Sequence, residues 1–272
     1  MSEVVALSDA RDVALFGSKA VGLGQALRDG LPVPPGVALG GAVVEAVAGR
    51  DEDAIRRVDE SVRPLGGPLA VRSSAVDEDG AEASFAGQHL TLLGVLGADD
   101  VPSALNEIWW SANSDAAITY RQRLGLFTRP SVGVVVQVLL APEAAGVMFT
   151  QNPVTGANER VIEASWGLGE VVVAGRVIPD HFRVAPDGEV LERVAGYKSI
   201  RCRSLPDGGT VEEDLTPELA ERLCLDDEQL RLLGALAERC EQVYGPARDI
   251  EWAIADGTLY LLQCRAVTRA GA

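Results

Sequence analysis

Apolar and polar positions alternate with period two in two runs near the end of the chain, Asp249-Ile250-Glu251-Trp252-Ala253-Ile254 and Leu259-Tyr260-Leu261-Leu262-Gln263-Cys264-Arg265. This is the pattern of paired β-strands. Ala255-Asp256-Gly257-Thr258 between them has turn chemistry, because Gly tolerates positive φ. A three-residue loop centred on Gly257 sets Glu251 opposite Gln263, with Arg265 on the same face. Ile250, Trp252, Ile254, Tyr260, Leu262 and Cys264 then form the core face. A two-residue loop would instead pair Glu251 with Leu262.

The same reading places other elements along the chain. Residues 18–28 form a helix with Ser18 as N-cap, ended by Pro32, Pro34 and Pro35. Residues 68–74 are a buried strand, and a second strand opens at Phe85 and runs through Leu90, Leu92 and Val95. Residues 105–124 are helical in two pieces, broken near Ser111-Ala112-Asn113. Residues 131–140 and 145–150 are strands joined through Pro142-Glu143. Residues 160–164 are another strand, 180–184 and 190–198 a second β region, and 216–244 one or two helices opened by Thr216-Pro217-Glu218. No repeat or clear linker is present, and Asp207-Gly208-Gly209 is the weakest join. The most apolar stretch, 132–149, is broken by Gln137, Pro142 and Glu143, so it reads as strands and not as a membrane span.

The chain has 272 residues, 47% of them hydrophobic, which suffices for one large domain or two lobes. Its net charge of −16 disfavours nucleic acid and anionic membrane surfaces as partners. A polyanionic substrate therefore needs a local basic pocket. Cys202, Cys224, Cys240 and Cys264 include no CxxC pair and read as reduced structural thiols of a cytoplasmic protein. The N-terminus lacks a signal-peptide pattern.

Glu251, Gln263 and Arg265 on one buried strand face are costly to desolvate singly. Two readings account for them. Carboxylate and carboxamide oxygens suit Mg²⁺, with Arg as a bidentate fork to phosphate; or Glu and Arg form an internal ion pair with Gln filling in. Lys19, in the first turn of its helix, is either an exposed lysine or one that shares an anion with the helix N-terminus. Arg72, directly after an apolar run, is a candidate phosphate or carboxylate clamp. Residues 77–88 form either a lid or a plain surface loop. Gln137 is a lone amide in an apolar strand and needs a buried partner or a ligand. Gly22-Leu23-Gly24 and Gly167-Leu168-Gly169-Glu170 are not dinucleotide fingerprints, and no P-loop occurs.

Several phrases taken in order resemble the phosphoenolpyruvate synthase and pyruvate phosphate dikinase family. They are Gly17-Ser18-Lys19-Ala20-Val21-Gly22-Leu23-Gly24, Ala70-Val71-Arg72-Ser73-Ser74-Ala75, Ala83-Ser84-Phe85-Ala86-Gly87-Gln88, Gly146-Val147-Met148-Phe149-Thr150, Ala164-Ser165-Trp166-Gly167-Leu168-Gly169-Glu170, Asp249-Ile250-Glu251-Trp252 and Leu262-Gln263-Cys264-Arg265. The resemblance is to the N-terminal ATP-binding domain, which rifampin phosphotransferase shares. It implies an α+β ATP-grasp fold over residues 1–268, in two lobes with the nucleotide between them, and a short tail at 269–272. It implies that Lys19 and Arg72 hold the β- and γ-phosphates, that Gly87 and Thr91 lie under a lid near the nucleotide, and that Gln137 lies near adenine or ribose. Glu251 and Gln263 would bind Mg²⁺ and Arg265 would reach the phosphates; Lys198 matches a family lysine less surely.

Two departures stand out. Ser18 replaces a usual Gly, and the family's phosphohistidine domain has no counterpart here. Of the two histidines, His89 and His181, the latter replaces a common carboxylate and is not expected to carry phosphate. The resemblance thus implies an ATP-dependent phosphotransferase that cleaves ATP to AMP and phosphate and phosphorylates a histidine domain on a separate chain. A stand-alone kinase of a small molecule and a non-catalytic ATP-binding regulatory subunit are the alternatives.

Overall fold

The computed structural model describes residues 3–76, 90–123 and 131–267. The expectations placed on Gly87, His89, the 77–88 loop, the start of the strand at Phe85 and the 269–272 tail fall outside them. The chain forms two compact units. One comprises Met1–Arg28, Pro35–Leu139 and Leu205–Gly209; the other comprises Asp29–Pro34, Leu140–Ser204 and Thr210–Ala272.

The first unit runs β1 (Val4–Ala6), α1 (Val13–Arg28), β2 (Gly36–Leu39), α2 (Gly41–Ala48), α3 (Glu52–Val62), β3 (Pro68–Ala75), β4 (Thr91–Leu96), α4 (Gly97–Ala112), α5 (Asp115–Arg123) and β5 (Val132–Val138). Its sheet has the order β1-β2-β5-β3-β4, antiparallel throughout. One sheet face carries Val37, Leu39, Leu69, Val71, Val134 and Val136, packed with Val43, Val47, Val58, Val62, Leu105 and Ile108 of α2 to α4. The helices present those residues because their apolar positions recur every three or four residues. Asp51 caps α3, its carboxylate accepting from Ala54 N at 2.8 Å. The opposite face takes α1, which packs on β3 and β5. The helix expected at 18–28 is the second part of α1. Gly17 (φ 79, ψ 166) interrupts it, and Ser18 donates its hydroxyl to Val76 O at 2.9 Å, so it does not cap the helix. The helical region expected from residue 105 already begins at Gly97.

The second unit runs β6 (Ala144–Phe149), β7 (Arg160–Trp166), α6 (Glu170–Val173), β8 (Asp180–Val184), β9 (Val190–Val194), β10 (Ile200–Ser204), β11 (Thr210–Asp214), α7 (Pro217–Glu221), α8 (Asp227–Tyr244), β12 (Arg248–Ala255) and β13 (Thr258–Ala266). Six strands form an antiparallel sheet in the order β13-β12-β6-β7-β8-β9, with β10-β11 a separate hairpin. The strands expected at 131–140 and 145–150 therefore belong to two different sheets. The expected second β region is part of the same sheet as the final hairpin; Asp207-Gly208-Gly209 lies in the turn of the β10-β11 hairpin, and Leu205–Gly209 groups with the first unit while the strands on either side belong to the second. Asp226 and Gln229 form a reciprocal capping box at the start of α8. That helix buries Leu230, Leu233, Leu236, Ala237 and Cys240.

The hairpin itself corrects one expectation and keeps another. Its loop has two residues, Asp256 (φ 50) and Gly257 (φ 69), closed by the Ala255–Thr258 pair. Positive φ at both positions is what an Asp-Gly turn of this type requires. A bulge at Leu262 absorbs the odd residue, so Trp252 faces Leu261 while Glu251 still faces Gln263. The core face accordingly carries Leu259 and Leu261 in place of the expected Tyr260 and Leu262.

Candidate functional site

In the first unit the structure gathers four predicted residues on the sheet face that α1 covers. Arg72 lies opposite Thr91 on β4 and opposite Val135 on β5, and Gln137 lies opposite Ala70 and Gly36. Cross-strand partners share a face, so Arg72, Thr91 and Gln137 point the same way. Arg72 and Gln137 are buried, 9% and 2% exposed. Lys19 reaches this region from α1 with only 7% exposure, its ammonium donating to Ser73 O at 2.8 Å. That burial rejects the reading of Lys19 as a surface lysine. Lys19 and Arg72 thus bring two buried cations to one small region of a chain with net charge −16. A separate groove of about 420 Å³ beside β4 and α4 is lined by Asp100, Glu107 and Asp207, and its carboxylates suit phosphates poorly.

In the second unit one sheet face carries Asp249, Glu251, Gln263 and Arg265. Glu251 pairs with Gln263, and Asp249 pairs with Arg265 in the adjacent row. Arg265 Nε donates to Asp249 Oδ2 at 2.7 Å while about half of its side chain stays exposed. Asp249 is 8% exposed, and its Oδ1 is buried without a hydrogen-bond partner among the described residues. Burial raises the Asp249 carboxyl above its ordinary range; the Arg265 guanidinium pulls it back, and the Glu251 carboxylate raises it again. Cys264, between Gln263 and Arg265, has its thiol pushed up by a hydrogen bond with Cys240 and by burial. It is therefore protonated and unsuited to nucleophilic chemistry. His181, on β8, lies opposite Glu163 on β7.

Lys198 is a different case. It and Asp180 are fully buried and form an ion pair of 2.5 Å. Asp180 also accepts from Gly196 N at 2.8 Å and from Cys224 N at 2.7 Å. Every oxygen of that carboxylate is engaged inside the protein, which makes Lys198 a structural staple.

Residues 42–272 match the family described as the pyruvate phosphate dikinase AMP/ATP-binding domain. The chain belongs to that family. The probable phosphoenolpyruvate synthase of Methanothermobacter thermautotrophicus is 34% identical over 307 residues, covering 96% of this chain and 45% of the relative. The prodigiosin synthesizing transferase PigC of Serratia marcescens is 36% identical over 281 residues, covering 93% and 31%. The rifampicin phosphotransferase of Bacillus cereus is 37% identical over 202 residues, covering 73% and 23%. The chain thus spans less than half the length of these curated relatives. Among solved structures, a D-alanine–D-alanine ligase of Bacillus anthracis is similar at 12% identity with a TM-score of 0.42, over 96% of this chain and 58% of that one. Among the described residues no helix is long and apolar enough to cross a membrane.

In this AMP/ATP-binding domain Arg72, Thr91, Gln137, Glu251, Gln263 and Arg265 lie within the matched residues, and Lys19 precedes them. Sequence reasoning missed Asp249. The available signal was parity: Asp249 is two residues before Glu251 and so must share its face. It also missed Ser74, whose hydroxyl accepts from Ala20 N at 3.0 Å across from α1.

Proposed function

We propose that this chain binds Mg²⁺-ATP in an ATP-grasp arrangement and passes a phosphoryl group onward. The observation that carries the proposal is the oxygen set on the hairpin, where Glu251 faces Gln263 and the orphaned, buried Oδ1 of Asp249 lies in the next row. Carboxylate and carboxamide oxygens with few protein ligands suit Mg²⁺, which keeps waters and takes phosphate oxygens as further ligands. Among the described residues no cluster of three His, Cys, Asp or Glu competes as a tighter metal site. Glu251 and Gln263 would hold the ion, with Asp249 beside them. The chemistry Mg²⁺ supplies when bound is neutralisation of phosphate charge.

The remaining work falls to the chain's own cations. Lys19 and Arg72 bind β- and γ-phosphate oxygens, and Arg265 reaches the phosphates with its exposed end while Asp249 fixes its Nε. Thr91 lies near the nucleotide, and Gln137 reads adenine or ribose. Catalysis of this kind rests on positioning and charge stabilisation. The acceptor we favour is the histidine of a phosphohistidine domain on a separate chain, with AMP and phosphate as the other products. Phosphorylation of a small molecule is the second reading, favoured by the similarity to a rifampicin phosphotransferase.

The test is incubation with Mg²⁺-ATP, alone and with a cell extract, followed by separation of the nucleotides. AMP supports the dikinase reading and ADP the direct kinase. ATP that binds but is never consumed overturns both and leaves a binding module.

A further inference from the structure

We propose that Ser74 is a positioning residue that aims Lys19; the proposal rests on the reading of Lys19 as a phosphate ligand. The first N–H groups of a helix have no partner within it. The helix that carries Lys19 starts after Gly17, which stands at the capping position without a side chain to offer. The missing acceptor comes from β3. Ser74, fully buried, accepts from Ala20 N at 3.0 Å. The two segments meet so closely that a Cβ on Gly17 would lie 2.0 Å from Ser74 O and 2.5 Å from Ser74 Oγ, and its φ of 79° disfavours any other residue.

The neighbours of Ala20 are held by the same strand. Lys19 Nζ donates to Ser73 O at 2.8 Å, and Ser18 Oγ donates to Val76 O at 2.9 Å. Three consecutive residues of the first helical turn are thus fixed to residues 73, 74 and 76. Arg72 and Ser74 are two apart on β3 and share a face, so the hydroxyl that fixes the helix start stands on the same strand and face as the second cation. Lys has a long flexible stem, and an ammonium is aimed only as well as its backbone is held. The cap therefore sets the geometry of Lys19 relative to Arg72.

The experiment is titration of ATP with Mg²⁺ against the wild type, Ser74→Ala, Lys19→Ala and the double variant, with the melting temperature of each recorded. Ser74→Ala should weaken ATP binding about tenfold, the scale of a lost cap. In the Lys19→Ala background the same change should cost nothing further, because Ser74 acts through Lys19. Ser74→Cys, nearly the same volume with a weaker acceptor, should move affinity in the same direction and serves if Ser74→Ala does not fold. Equal weakening with and without Lys19 would show a merely structural cap, and unchanged affinity in Ser74→Ala or Ser74→Cys would show no role; either result overturns the proposal. Unchanged affinity in Lys19→Ala overturns the phosphate role of Lys19, and the positioning role with it.

Discussion

Lys198→Met is the sharpest test of which lysine serves structure and which serves the nucleotide. The wild-type pair with Asp180 is fully buried on both sides. Removing one partner of such a pair leaves an uncompensated buried charge, which costs about 3–5 kcal/mol. Asp180 keeps two backbone donors, Gly196 N and Cys224 N, so the lower end applies. At roughly 2–4 °C per kcal/mol for a chain of this size, the melting temperature should fall by about 6–12 °C. The assay is thermal unfolding by circular dichroism, beside an ATP titration carried out well below the transition. ATP affinity should stay within about twofold, because the ammonium is consumed by Asp180. Changing Asp180→Asn in the same chain should restore only part of the loss: it removes the stranded charge, but the amide has one acceptor oxygen for the two backbone donors, Gly196 N and Cys224 N. An unchanged melting temperature would refute the staple. A tenfold loss of ATP affinity with stability intact would make Lys198 a nucleotide ligand instead.

Two further outcomes follow from the same geometry. Deleting Leu262 should remove the bulge yet leave Glu251 facing Gln263, because Leu262 is the extra residue; Mg²⁺-dependent ATP binding should survive, and its loss would show that the bulge itself shapes the site. Arg183, then Asn152, hold the Glu159 carboxyl below its usual range. A depressed carboxylate adds stability above its unfolded pKa and loses it as pH falls through the folded one. The stability gap between wild type and Arg183→Gln should therefore be widest near neutrality and close below about pH 4; a gap independent of pH would contradict this.

Period-two patterning identified the final hairpin and the face shared by Glu251, Gln263 and Arg265, because burial on one side forces alternation. It could not locate the bulge, since a loop of two residues plus one extra strand residue leaves the same far register as a loop of three. Local pattern also marked 131–140 and 145–150 as strands but could not assign them to separate sheets, a choice made by long-range pairing. Lys19 and Arg72 were legible as cations out of place against a helix dipole and an apolar strand. Ser74 was not, because its partner Ala20 lies 54 residues away and exposes only a backbone N–H to recognition. Asp249 opens the same period-two run, but alternation marks only its face and not its pairing with Arg265.

The central proposal is that the chain binds Mg²⁺-ATP, and calorimetric titration of ATP with and without Mg²⁺ tests it most directly. For the wild type, Mg²⁺ should tighten binding. Arg72→Ala should lose roughly ten- to a hundredfold in affinity with the fold intact, the scale of a charge-assisted hydrogen bond. Glu251→Ala should abolish the difference that Mg²⁺ makes. Wild-type affinity and full Mg²⁺ dependence in both variants would contradict the account.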